Sequence, residues 1–122
     1  MSEYEDFVKS TDISDHDFQF YLDGMNEENG EISGVFKRLR RGDYGDQAKR
    51  DMKLGINYVL LNYPAVCDDV IKEIGDRHWY TTRFLQEIGS SWKEVERINL
   101  QKLTKRKEQG KIMGHGDARE DE

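Results

Sequence analysis

The sequence predicts an all-α fold, a bundle of four to five helices, and three observations predict it. Apolar residues recur at spacings of three and four over long segments, the period of a helix with one buried stripe. The chain has one proline and no long alternating Val/Ile/Thr run of the kind that marks strands. Helix start and stop residues stand at the ends of the periodic segments. With 122 residues the chain reads as one helical domain over 1–122, large enough for a modest core and small enough that self-association would help it.

The elements follow in order. Residues 3–10 form a short helix with Tyr4, Phe7 and Val8 as apolar contacts. Ser14 is the expected N-cap of a long second helix, with Asp17 at its third position. That helix runs to about Arg41 and stops at Gly42, with Phe18, Leu22, Met25, Ile32, Phe36 and Leu39 as its seam. Lys37, Arg38, Arg40 and Arg41 suit the negative end of the helix dipole better than a phosphate contact. Asp43 to Asp46 is a loop. A third helix spans about Gln47 to Tyr63, weakened by Gly55, with Ala48, Met52, Ile56, Val59, Leu60 and Tyr63 buried. Pro64 opens the next helix, which Gly89 stops beyond Glu87. Its core stripe is Ile71, Ile74, His78, Thr81, Leu85 and Ile88, with Glu73, Asp76, Tyr80 and Arg83 on a neighbouring stripe. Ser91 and Glu94 make a capping box for a last helix to about Lys107, with Trp92, Val95, Ile98 and Leu103 on its apolar side. Residues 108–122 are a glycine-rich tail, either a ligand-contacting loop or a disordered end.

Charge and composition exclude several classes. Charged residues make up 36% and the net charge is −6, which disfavours nonspecific nucleic-acid binding. The longest apolar run, Tyr58 to Leu61, is far too short to span a bilayer, so no membrane partner is expected. The single Cys67 rules out an intrachain disulfide and a cysteine-based zinc cluster. The acidic start, with Glu3, Glu5 and Asp6, lacks the regions of a signal peptide, and the expected compartment is the cytoplasm.

Two carboxylate pairs carry the chemistry. Glu73 and Asp76 lie one turn apart on one helix. The long second helix turns polar at Asn29, where Glu28 and Glu31 form either a solvated bend or a second pair beside the core seam. If the two seams pack antiparallel, four carboxylates converge inside the bundle, a hard oxygen set suited to magnesium or manganese. Such a cation bridges phosphate oxygens and activates water in phosphoryl transfer. Asn99, Lys102 and Arg106 make a cationic stripe on the last helix, a solvated face or a hold on outer phosphates. Neither pair has the Glu-x-x-His form of a di-iron bundle.

These residues resemble the MazG-like, all-α nucleoside triphosphate pyrophosphohydrolases. The resemblance rests on Gly24 to Glu31, on Glu73-Ile74-Gly75-Asp76 with Trp79-Tyr80, on Asn99 with Lys102 and Arg106, and on the tail from Gly110 to Arg119. It covers about residues 15 to 119 and is closest to the short, single-domain form of bacteria and phages. It implies magnesium on Glu28, Glu31, Glu73 and Asp76. It implies hydrolysis of a nucleoside triphosphate to monophosphate and pyrophosphate by water, and nucleotide contacts by Tyr80, Asn99, Lys102, Arg106 and Asp117. It also implies a dimer or tetramer. The segment from Arg41 to Lys72 is longer than in the short members, and Glu27 and Asn29 replace small residues. Related phosphoribosyl-ATP or alarmone hydrolysis, or a non-catalytic nucleotide sensor on the same scaffold, are the alternatives.

Overall fold

Two helices of 24 residues each, α2 (Phe18–Arg41) and α5 (Pro64–Glu87), lie antiparallel along each other and form the body of the protein. At one end the Phe18 ring meets Phe84 at 6.5 Å and Phe20 meets Tyr80 at 6.2 Å. At the other end Val35 and Leu39 pack on Val66 and Val70. This computed structural model describes residues 2–14 and 16–110. Among them every regular element is helical: α1 (Glu3–Thr11), α2, α3 (Asp46–Asp51), a 3₁₀ turn (Met52–Leu54), α4 (Ile56–Asn62), α5 and α6 (Trp92–Glu108). The all-α expectation holds, with six α-helices in place of four to five. None of them is long and apolar enough to cross a membrane.

The extra helix comes from Gly55. A single helix was expected over Gln47 to Tyr63, but Gly55 takes φ 106°, a conformation that favours glycine, and divides the segment into α3, the 3₁₀ turn and α4. The two short helices still bury Ala48 and Val59 against Val35, Leu39, Val66 and Val70. Two tyrosine hydroxyls tie this end together, Tyr44 donating to Asp69 and Tyr63 to Asp51, each at 2.6 Å. Burying Leu39 or each of the four valines contributes roughly 1.5–3 kcal/mol, and the Ala48 methyl less.

The start of α2 also differs from expectation. Ser14 does not cap it; Asp17 does, accepting from the Phe20 amide at 3.3 Å. Ser14 instead donates its hydroxyl to Asp12 at 2.6 Å. The stop at Gly42 is as read: φ is 91°, and the Gly42 and Asp43 amides return to Leu39 and Arg38. At α6, Ser91 accepts from the Glu94 amide, but the Glu94 carboxylate pairs with Arg97 at 3.3 Å, so only half of the expected capping box forms.

Each expected core stripe is only partly buried, Leu39 and Leu85 holding their places. Of the α5 stripe Leu85 is buried as expected, but Ile71, Ile74 and Ile88 are 61%, 42% and 55% exposed and His78 is exposed too; Val66 and Val70 are buried in their place. On α2 the buried line is Tyr21, Gly24, Val35 and Leu39, with Phe18 exposed. On α6, Ile98 and Leu103 are exposed, Arg106 is buried in the last turn, and the first turn is anchored by Trp92. There the Trp92 indole N–H donates to the buried Thr82 hydroxyl at 2.8 Å, and its ring stacks on His78 at 4.6 Å. Glu5 accepts from the Trp92 amide at 3.3 Å and from the Ser2 amide at 3.1 Å, so one carboxylate serves the first turns of α1 and α6.

The N-terminal helix is locked to α5 by a buried ion pair. Arg83 donates Nε–H to Asp12 at 2.8 Å and its terminal nitrogens to Tyr21, Gln86 and Glu87, with its guanidinium 4.6 Å above the Tyr21 ring. Tyr21 donates its hydroxyl to Asp12 as well. Burial alone would raise the Asp12 pKa, but hydrogen bonds from Ser14, Tyr21 and Arg83 outweigh it and hold the group well below the ordinary carboxylate range. A depressed acid pKa contributes stability above the unfolded value, lost as pH falls through the folded one. Asp12→Asn, which leaves Arg83 buried without its anion, should cost about 3 kcal/mol at pH 7 in urea melts. The deficit relative to the parent should shrink steadily below about pH 4. A variant as stable as the parent at pH 7 would remove this pair from the stability of the fold.

Candidate metal centre

The buried line of α2 runs Tyr21, Gly24, Glu28, Val35, Leu39 at helical spacing, so Glu28 occupies a seam position rather than flanking it. On α5 the facing line runs Val66, Val70, Glu73, Tyr80, Phe84. Each seam is aliphatic at one end, aromatic at the other and acidic in the middle. Because the helices are antiparallel, the acidic middles coincide. Glu28 and Glu73 are half-buried and Asp76 is exposed at the rim, and one carboxylate oxygen from each lies within 4.8 Å of the others.

Three acids at that separation repel, and the burial of Glu28 raises the cost. Desolvation first, then a hydrogen bond and charge repulsion from Glu73, then the charges of Asp76 and Glu31, push the Glu28 pKa up to about 7. Its Oε2 is buried and has no hydrogen-bond partner. A buried carboxylate oxygen without a donor is costly unless a cation takes that place. Among the described residues, the ion pairs join Arg83 to Asp12 and Glu87, Arg41 to Asp43 and Arg97 to Glu94, so none engages this cluster. The donor set, carboxylate oxygens alone, fits a hard divalent cation such as magnesium or manganese.

A pocket of about 390 Å³ opens onto the cluster, lined by Glu28, Asp76, Trp79 and Tyr80. Tyr80 reaches this wall because Gly24 lies under it: a Cβ at Gly24 would stand 2.3 Å from two ring carbons. Burial, followed by the charges of Glu28, Glu27 and Asp76, raises the Tyr80 pKa and keeps its hydroxyl protonated.

The structure brings Glu28, Glu73, Asp76 and Tyr80 together. Glu31 is exposed one turn along α2, near enough for its charge to act on Glu28 but outside the three-oxygen group. Asn99 is exposed, Lys102 half-buried and Arg106 buried on α6, and none of the three lines this pocket. Asp117 and the tail from residue 111 onward lie outside the described residues. Gly24 and Trp79 stand in the motifs quoted above, but the sequence reading gave neither a role at the site. Their signals were a residue without a side chain about one turn before Glu28 and a tryptophan beside Tyr80.

The chain is similar to the Gene 37 protein of Mycobacterium phage L5, with 29% identity over 96 residues that cover 79% of this chain and 71% of that protein. No family model and no solved structure matches it. The reading of the site therefore stands on its geometry.

Without metal, the raised Glu28 pKa sets the sign of a pH dependence. The folded protein holds this proton more tightly than the unfolded chain, so stability falls as pH rises from about 4.5 toward about 7. Glu28→Gln should abolish that fall and melt higher than the metal-free parent at pH 8, by about 1 kcal/mol. Magnesium should stabilise the parent and not the variant. Thermal melts at pH 5 and 8, with and without magnesium, measure all three effects. A variant melting well below the parent at pH 8 would make Glu28 a structural acceptor instead.

Proposed function

We propose that the chain is a magnesium-dependent nucleoside triphosphate pyrophosphohydrolase of the MazG-like all-α kind, with manganese as a substitute. It converts a nucleoside or deoxynucleoside triphosphate to the monophosphate and pyrophosphate. The observation that carries this reading is the buried, unpartnered oxygen of Glu28 grouped with Glu73 and Asp76 at the junction of two antiparallel helices. The order of motifs along the chain supports it. A divalent cation held by these carboxylates would neutralise charge on phosphate oxygens and acidify a water.

The residues divide the work by position. Glu28 and Glu73, half-buried in the seam, are held in place by the helices that carry them and need little reorganisation to bind. Asp76, at the rim, joins them from the solvent side. Glu31 stands outside that group, and its carboxylate is left to accept the proton lost by the attacking water. Tyr80 and Trp79 screen one wall of the pocket from water. Lys102 and Arg106 of α6 and Asp117 of the tail are the proposed outer-phosphate and base or sugar contacts, and Asn99 joins them as a nucleotide contact.

Incubation with a panel of canonical and modified nucleoside triphosphates plus magnesium should release pyrophosphate, measured separately from orthophosphate. Asp76→Asn should lower the rate by about a hundredfold or more, at or beyond the upper end of the loss on removing an outer-shell partner of a catalytic ion. Orthophosphate as the sole primary product would reject the reading; nucleotide binding without any product would leave a sensor in its place.

We also propose that the protein works as a dimer or larger oligomer. The support is apolar surface left open on three helices: Leu61 is 82% exposed, Ile71 61% and Leu100 68%. Sedimentation at micromolar concentration should give at least a dimer, and Ile71→Asp should shift it toward monomer. A parent that sediments as a monomer overturns this.

A further inference from the structure

We propose that Trp79 is the wall against which a planar ring of the ligand stacks, and that Thr11 is its positioning residue. The inference rests on the cation–phosphate reading of the pocket and names the part of the ligand that lies beyond the phosphates.

Trp79 is half-buried and shares the pocket with Glu28, Asp76 and Tyr80. Its polar atom is already engaged elsewhere. The indole Nε1–H donates to Thr11 Oγ1 at 2.9 Å, across 68 residues of sequence. Thr11 in turn donates its hydroxyl proton to the Val8 carbonyl at 2.7 Å, which leaves the oxygen's lone pairs for the indole. Two rings fix the remaining freedom: Tyr80 meets Trp79 edge-on at 5.2 Å and 89°, and Tyr21 lies at 6.2 Å. With its N–H spent, Trp79 offers the pocket apolar aromatic surface and no hydrogen-bonding group.

The pocket thus has two chemically distinct sides, carboxylates that call for a cation and its phosphates, and aromatic surface that calls for a planar apolar face. The matching ligand class is a phosphate ester carrying a heteroaromatic ring, in preference to an inorganic polyphosphate. Stacking on an indole tolerates any base, because every base has a π face. Trp79 therefore adds affinity for the ring without choosing which ring. The helix α1 becomes part of the binding site through one hydroxyl. It is secured independently by Val8 in the core, by Gln86 Nε2–H donating to the Glu5 carbonyl at 2.8 Å, and by the Asp12–Arg83 pair just beyond it. Removing the Thr11 hydroxyl should release the indole and leave the helix in place.

The chain has two tryptophans, so Trp92→Phe makes Trp79 the sole reporter. In that background, Trp79 emission is followed while a non-hydrolysable α,β-methylene deoxynucleoside triphosphate is added with magnesium, once with a purine and once with a pyrimidine base. Inorganic tripolyphosphate with magnesium is the control, its binding read by calorimetry. Both nucleotides should change the emission, and tripolyphosphate should not. Thr11→Val should weaken nucleotide binding roughly tenfold, the low end of what base–aromatic stacking contributes, leave tripolyphosphate unchanged, and raise KM with little effect on kcat. Thr11→Ser should restore the parent values. Nucleotide binding with unchanged Trp79 emission, or a Thr11→Val loss equal for both ligands, overturns the inference and leaves the phosphate site standing. Failure of every ligand to bind with magnesium overturns the reading of the pocket and this inference with it. Should Trp92→Phe fail to fold, calorimetry on Trp79→Phe and Trp79→Ala decides: the first should keep most nucleotide affinity and the second lose it for the nucleotide alone, and equal loss for both ligands overturns the proposal.

Discussion

Glu28 sits where a helix seam ordinarily carries leucine, and Glu73 faces it from the opposite helix. Burying these two acids against each other costs free energy that the rest of the α2–α5 interface must offset. It does so from both ends. On one side Val35, Leu39, Val66 and Val70 pack with Ala48 and Val59 into an aliphatic cluster. On the other, Phe20, Tyr21, Trp79 and Tyr80 are linked by ring contacts, and Phe18 meets Phe84 as a separate pair. Two apolar clusters flank the acids and hold the helices at a fixed separation, and side chains in packed cores move little. The carboxylates are therefore preorganised by their neighbours rather than by one another.

A second buried charge balances the same interface in the opposite way. Arg83 is 7% exposed but meets Asp12, Tyr21, Gln86 and Glu87, so its donors are satisfied by the protein itself. The acids of the seam have no such internal partner among the ion pairs of the described residues. The two charge centres share α5, where Arg83 lies nearly three turns beyond Glu73; one is complete and the other incomplete. The complete one fastens the N-terminal segment and serves the fold. In the incomplete one, burial and the neighbouring acids push the Glu28 pKa up to about 7.

The surface of the molecule has a related asymmetry. The isoleucines of α5 that carried the clearest helical period face outward, while valines with a less obvious pattern form the core. Apolar periodicity reports that a face is to be buried; it does not say against what.

Much of the architecture was legible in the residues alone. Helix type, the span of α5 from Pro64, the stop of α2 at Gly42 and the start of α6 at Ser91 follow from local chemistry, because caps, proline and glycine act on their own few residues. The division at Gly55 was visible as a weak point but not as a break, since a glycine in a helix bends or ends it according to what packs around it. Glu28, Glu73 and Asp76 were legible as acids at helical spacing on two long segments. Three things were decided only by tertiary structure. The antiparallel register set Glu28 opposite Glu73, and a different register would have left both as ordinary surface acids. The rotation of each helix put Glu28 in the seam with Tyr21, Gly24 and Val35, and left Ile71 outside it. The approach of α1 brought Thr11 to Trp79, a contact across most of the chain that no local pattern encodes. Local propensity acts within a turn or two of helix, whereas register, rotation and long-range approach minimise the energy of the whole packed interface.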